Sequence, residues 1–413
     1  MIVFYYFEWA CIVFIALFAA LSLPTLVRFC KGAGKRTQFP RAKTYAKFAV
    51  LIPARDESKV IEANIKSVLA ANYPADKQDI YIIVETPDDP TVQIVKKYPQ
   101  IKLFFRENLQ NIGKGYALDE CLQSIFQSGE PYDAFCILDA DNLVQKDFFL
   151  RLNDAYAAGY DLACGRRDNK DWNISVVSAA SALTFLALNT LVNQPCTAIG
   201  KPITVSGTGF FIRAERLKEL GGWKFFSLTE DYEISAYAAN HGWRSAYVDE
   251  AVYYDEQPVK MGQSIVQRSR WVRGFFAVHS GVAKDKQKQK NNTTSMPVIC
   301  LCLSIIAYLV CLFGFFTAAL ITKNAIFAPL AIRLGGVVAA VYFLLVLLTV
   351  YLFRANDGLI RISKSMKIKA IFFHPIFLFS YIAAAVRAIF MKNTWEKIEH
   401  SLYKEIDEVQ SER

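Results

Sequence analysis

Three apolar runs, at residues 1–27, 297–321 and 334–353, constrain this chain more than any other feature. Each is about long enough to cross a hydrocarbon core of roughly 30 Å, where a helix satisfies all of its own backbone groups. A weaker run follows at 370–386. Residues 48–281 are therefore expected to fold as one water-facing block bracketed by membrane segments. The first run has no basic leading region and no small-residue cleavage site, so it is read as an anchor and not as a removable signal.

Charge orients this layout. Arg28, Lys31, Lys35, Arg36, Arg41, Lys43 and Lys47 follow the first run with no acid among them. Lys284, Lys286, Lys288 and Lys290 precede the second run, and Arg354, Arg361, Lys364 and Lys367 follow the third. Basic residues favour the cytoplasmic side, which places residues 28–296 there and the N-terminus outside. The expected organisation is a membrane helix at 1–30, a basic segment at 31–47 and an α/β domain at 48–260. An interfacial helix follows at 261–281, a polar linker at 282–296, two membrane helices within 297–353, and a basic, partly helical tail at 354–413. The net charge of +9 lies beside the spans and suits anionic lipid headgroups; no independent basic domain points to nucleic acid. Nine cysteines without a C-x-x-C pair, and four histidines without H-x-x-x-H, fit free thiols in a reducing compartment and argue against zinc.

Within the block, FAVLIPARD at 48–56 reads as a buried strand stopped by proline. A helix is expected at 58–71, a strand at 80–84, a helix at 91–98, a strand at 101–105, a helix at 114–127 and a strand at 134–138. Strand and helix in alternation predict a parallel sheet with helices on both faces, and such sheets bind ligands at the carboxyl ends of their strands. Asp56-Glu57, Glu85 to Asp89, and Asp139-Asp141 all fall at such ends. Residues 174–192 are apolar enough to span. However, Ser175, Ser178, Ser181, Thr184 and Asn189 form a polar stripe, so an amphipathic helix at the interface is expected. Residues 262–281 read the same way. Residues 370–386, with His374 and Pro375 early, read as interfacial or re-entrant.

The chemistry concentrates in five places. In Asp139-Ala140-Asp141, strand alternation puts two carboxylates on one side, and hard oxygens there suit Mg²⁺ or Mn²⁺ held jointly with phosphate. Glu230 and Asp231 open a helix capped by Thr229, whose dipole favours the ionised form of a base. Gln267, Arg270 and Trp271 share a helix face, offering a cation for a diphosphate and a flat surface for a sugar or nucleotide. Asn111-Ile112-Gly113-Lys114-Gly115 opens a helix where Lys114 could reach phosphate or base. Val205 to Phe210 is a strand broken by small residues, with Gly207 and Thr208 letting an acceptor lie against backbone. Singly, these are more often acidic turns, helix caps or interface anchors. Their order along one chain and the membrane layout around them give them weight together.

With these residues the chain resembles the family 2 glycosyltransferases, and more narrowly the membrane-embedded branch of cellulose, hyaluronan, chitin and poly-N-acetylglucosamine synthases. The resemblance covers about residues 48–281. It implies a GT-A (Rossmann-like) nucleotide-sugar fold, with Asp56, Glu57 and Glu85 near the nucleoside, glutamate at 85 departing from the usual aspartate. It implies that Asp139 contacts the nucleotide, Asp141 holds the metal, and Asp231 of Thr229-Glu230-Asp231 is the base. Gln267, Arg270 and Trp271 match Q-x-x-R-W, bordering acceptor and diphosphate. Trp395 to His400 is similar to a cytoplasmic W-E-K-T-x-H segment of relatives, with isoleucine in place of threonine. The implied reaction is inverting transfer from a nucleotide-sugar, by family habit a UDP-sugar, to a growing polysaccharide. Transfer of one sugar to a lipid, as in ceramide glucosyltransferases, stays open beside it, and a non-enzymatic sugar-nucleotide-binding subunit is a third reading. Three spans make a thin wall for a polymer channel, so a homodimer or accessory subunit is a possible partner.

Overall fold

The computed structural model describes residues 29–282, 328–391 and 403–411, with scattered helical positions between 9 and 27. Most of the first expected span, the linker beyond 282, the span at 297–321 and the segment 395–400 lie outside the described residues. One sheet organises the block. Its strands are β1 (Phe48–Pro53), β2 (Gln78–Val84), β3 (Lys102–Phe105), β4 (Ala134–Ile137), β5 (Leu143–Val144), β6 (Leu162–Asn169), β7 (Phe210–Arg213) and β8 (Ser245–Asp255). They lie in the order β3-β2-β1-β4-β7-β6-β8-β5.

β1 lies at the centre of the parallel half, paired with β2 and β4. Its alternate side chains Phe48, Val50 and Ile52 enter one core, while Ala49 and Leu51 enter the other. Burial on both faces is why its sequence reads as an unbroken apolar run. The helices Ile61–Leu69 and Phe148–Ala157 cover the first face, and Lys114–Ser128 and Glu230–Asn240 the second.

The expected all-parallel sheet is mixed: β1 to β4, β6 and β8 run one way, and β7 and β5 run the other. β7 runs antiparallel to both β4 and β6, and β5 is antiparallel to β8. Helices precede β6 and β8, which keep the common direction, whereas no crossover to the far end of the sheet precedes β7. The connection from Asn169 to Phe210 instead leaves and returns at one end of the sheet. That end also carries the carboxyl ends of β1, β4 and β8, so a 40-residue excursion folds over the place where the acidic clusters converge.

The excursion contains the segment expected as one interfacial helix. It is a helix over Val176–Ala187, a π-turn over Leu188–Asn193 and a short helix over Gln194–Ala198. Its polar stripe faces the sheet domain. Ser178 Oγ accepts from Asn169, Ser181 donates to Gln257 at 2.7 Å, and Asn189 donates to the Arg167 carbonyl at 3.3 Å. Its apolar side (Ala179, Leu183, Leu186) packs with Trp172 against Leu352, Phe353 and Ala370. The segment is thus an internal layer between the sheet domain and the helices Ala328–Ala355 and Lys364–Phe379. Among the described residues, three helical segments are long and apolar enough to cross a membrane: Val176–Ala198, Val338–Ala355 and Lys364–Phe390. The first of these has more than half of its apolar window buried inside the protein.

Candidate active site

The chain leaves β4 at Ile137 and turns at once, the Asn142 amide donating to the Asp139 carbonyl at 3.1 Å. The strand alternation expected through Asp139 and Asp141 is therefore broken, and their carboxylates meet different partners. Asp139 Oδ1 pairs with the Lys114 ammonium. Asp141, 4% exposed, accepts from the Glu256 amide at 3.3 Å and from Asn142 Nδ2 at 3.4 Å. The turn is held from three sides: the Asp139 amide donates to Thr208 Oγ1 at 2.8 Å and to Asn142 Oδ1 at 3.1 Å, and Asn64 Nδ2 donates to the carbonyls of Asp139 and Asn142.

Lys114 ties the clusters together. Its ammonium also donates to the Gly207 carbonyl at 2.7 Å. Burial alone would push it down, but the charges of Asp139, Glu230 and Asp231 outweigh this and hold it above the ordinary lysine value. Gly207 has φ +82, and a β-carbon on it would stand 3.7 Å from Asp231 Oδ2. The segment expected as a strand broken by small residues is a loop that reaches β7 only at Phe210, because Gly207 and Gly209 take positive φ, and Gly207 in it lies against the expected base.

Glu230 begins the helix Glu230–Asn240 as expected, with Thr229 at the cap position. The Thr229 side chain makes no capping bond, however; its hydroxyl is buried against Gly274 and has no hydrogen-bond partner among the described residues. Burial works against the ionised form of both carboxylates. Burial, reinforced by the Asp231 charge, pushes Glu230 up to about 8. Burial raises Asp231 as well, opposed by the Tyr232 amide at 2.8 Å and by Lys114 and Arg167.

Asp56, Glu57 and Glu85, expected near a nucleoside, follow the ends of β1 and β2. Asp56 has φ +55, a conformation that non-glycine residues seldom adopt. Its amide donates to Asp89 at 2.9 Å and the Glu57 amide to Thr91 at 3.0 Å. Glu85 pairs with Arg55 at 3.1 Å and with Arg106 at 3.5 Å. Arg106, buried, also donates to the carbonyls of Asn108 and Asn111, shaping the loop that delivers Lys114.

Gln267, Arg270 and Trp271 lie on the helix Met261–Val282, which packs on the start of Glu230–Asn240 through Gly274–Thr229 and Phe275–Tyr232. Gln267 Oε1 is buried with no hydrogen-bond partner among the described residues. Trp271 meets Phe185 edge-on, with centroids 5.5 Å apart. Sequence reading missed Asn142, Arg167 and Asp255, which lie behind this surface. Asp255 accepts from Asn142 and Arg167, and burial pushes it up to about 6. The available signal was a carboxylate ending a long apolar strand and two arginines ending another.

The profile of glycosyltransferase-like family 2 matches residues 46–274, more than half of the chain. The chain belongs to glycosyltransferase family 2. It is 30% identical to the Probable glycosyltransferase YdaM of Bacillus subtilis over 56% of each chain. It is 24% identical to a Beta-monoglucosyldiacylglycerol synthase of Synechocystis sp. over 66% of this chain and 57% of the relative. A Poly-beta-1,6-N-acetyl-D-glucosamine synthase of Staphylococcus epidermidis is 23% identical over 55% of this chain and 54% of the relative. The aligned parts span little more than half of these relatives. Among solved structures, the mannosyltransferase PcManGT from Pyrobaculum calidifontis, in complex with GDP-Man and Mn²⁺, matches at TM-score 0.62 and 17% identity, covering 93% of this chain and 99% of that one. The likeness shows that the fold is GT-A.

Proposed function

We propose that this family 2 enzyme is a membrane-bound, metal-dependent, inverting transferase that moves a sugar from a nucleotide-sugar, a UDP-sugar by family habit, to a growing polysaccharide, with its catalytic block at the cytoplasmic face. The observation that carries the reading is the convergence of Asp139, Lys114, Gly207 and Asp231 at the carboxyl end of β4, joined to the helix bearing Gln267, Arg270 and Trp271. A second reading, transfer of one sugar to a lipid, is supported by the glucosyldiacylglycerol synthase match, which covers more of this chain than the polysaccharide synthase match.

In this reading Asp231 takes the proton of the attacking hydroxyl. Burial and the Asp231 charge push the Glu230 carboxyl up, and in this reading Glu230 is the neutral and Asp231 the ionised member of the pair. Lys114 and Arg270 neutralise charge on the departing diphosphate, and Trp271 bounds the acceptor. Asp139 and Asp141 offer hard oxygens suited to Mg²⁺ or Mn²⁺. No cluster of three ligating side chains exists among the described residues, so phosphate oxygens would complete the shell. The ion would add charge stabilisation at the diphosphate.

The test uses the protein in lipid with Mg²⁺ or Mn²⁺. UDP-glucose, UDP-N-acetylglucosamine, UDP-glucuronic acid, UDP-galactose and GDP-mannose are screened for release of nucleoside diphosphate, with Asp141→Asn as control. Metal-dependent turnover with one donor, lost in the variant, supports the reading; no turnover with any donor counts against it. A product ladder on a gel favours the polymer, and a single glycolipid the alternative.

A further inference from the structure

We propose that Arg167 is a positioning residue that couples the metal-binding carboxylates to the acceptor clamp. The proposal rests on the roles of Asp141 and of Gln267, Arg270 and Trp271 given above. The pairing of β6 with β8 slips in register between Gly165 and Arg166, a bulge that re-aims the arginines following it. Arg166 turns to Asp168 and the Leu359 carbonyl, and Arg167 turns toward the active site.

The Arg167 guanidinium works in three directions. Nε and Nη2 both donate to Asp255 Oδ2, the first at 3.0 Å. The other oxygen of Asp255 accepts from Asn142 Nδ2 at 2.8 Å, and the same Asn142 nitrogen stands 3.4 Å from Asp141 Oδ1. Nη1 donates to the Ser206 carbonyl at 2.9 Å, immediately before Gly207 and Thr208. The flat face of the cation lies 3.7 Å from the centre of the Phe185 ring, and Phe185 is the ring that Trp271 meets edge-on. One side chain therefore touches the support of the metal carboxylate, the small-residue loop and the support of the clamp. Only a rigid, planar fork that also stacks can do all three; a lysine supplies a point charge and neither the fork nor the stack.

A buried ion pair alone is weak evidence of anything beyond packing. The test therefore reads more than stability. In the full-length protein in lipid, the Mn²⁺ dissociation constant is measured by electron paramagnetic resonance with UDP present. The KM of octyl β-glucoside, as acceptor probe, is measured at saturating donor, and the thermal midpoint is recorded alongside. Arg167→Lys is expected to weaken Mn²⁺ roughly tenfold or more, the usual scale for losing a group that orients a metal ligand, and to raise the acceptor KM as well. Phe185→Leu, which leaves every charge in place, is expected to raise the acceptor KM and leave Mn²⁺ affinity within about twofold of the parent, because it breaks the chain beyond Arg167. The proposal is overturned if Arg167→Lys lowers only the thermal midpoint, if it shifts one constant without the other, or if Phe185→Leu leaves the KM unchanged. Should Arg167→Lys fail to fold, Phe185→Leu decides the outcome. Retention of full Mn²⁺ affinity by Asp141→Asn would instead sink the metal reading itself.

Discussion

Two adjacent carboxylates, Glu230 and Asp231, share a burial cost and the Lys114 charge but differ in their other partners, and this separates their chemistry. Asp231 receives an amide hydrogen bond from Tyr232 and faces Arg167 as well as Lys114, while on Glu230 burial and the charge of Asp231 outweigh Lys114. Asp231→Asn should lower the transfer rate roughly a hundredfold to ten-thousandfold while donor binding persists; near-normal transfer would show that another group is the base. Glu230 predicts a stability effect with a definite sign. Its folded-state value of about 8 lies above the ordinary value of 4.5, so the folded chain binds the extra proton between these limits and stability falls as pH rises through the window. Glu230→Gln cannot titrate. In metal-free thermal melts its midpoint should match the parent near pH 5 and exceed it near pH 8.5; a parent-like slope would remove Glu230 as the cause. At this scale the acidic motifs were legible because each is contiguous. Arg167 and Asp255 were not, because they meet across 88 positions of sequence.

Strands and helices near the N-terminal half were legible because their apolar periods match their structures, as in Phe48–Pro53 and Lys114–Ser128. The orientation of β7 was not: its four residues carry no record of which neighbours they pair with. Segment Val176–Ala198 shows the same limit. Its polar stripe was readable, but whether that stripe faces water, headgroups or another layer of protein is decided only by what packs on it. Contact between the helices Met261–Val282 and Glu230–Asn240 depends on Gly274, where an added β-carbon would lie 2.5 Å from Thr229 Oγ1. Gly274→Ala is expected to destabilise the fold by about 1–3 kcal/mol through overpacking, and to lower transfer further by pushing Asp231 out of line. Steady-state kinetics beside thermal melts check this; a variant with lowered stability and parent-like kcat would separate the contact from catalysis.

Across the whole molecule, the sheet domain and the apolar helices are stitched together. Asn356 donates to Thr190, Arg166 to the Leu359 carbonyl and the Ser363 amide to Asn173. On the helix Lys364–Phe379, Ile368, Phe372 and Ile376 stand 58%, 54% and 53% exposed at four-residue spacing, a stripe suited to lipid. Phe372→Lys should lower recovery of the protein with vesicles in flotation, since a lysine in that environment costs about 2.5–3.5 kcal/mol at membrane depth. Unchanged flotation would place the stripe outside the bilayer. The sequence by itself determined the α/β start of the domain and the contiguous motifs that mark its family. These depend on local composition, period and spacing, which are written along the chain. Only the tertiary structure decided the mixed sheet, the inward-facing polar stripe, the burial of Glu230 and the Arg167–Asp255 link. Each depends on burial and on partners brought together from distant parts of the chain.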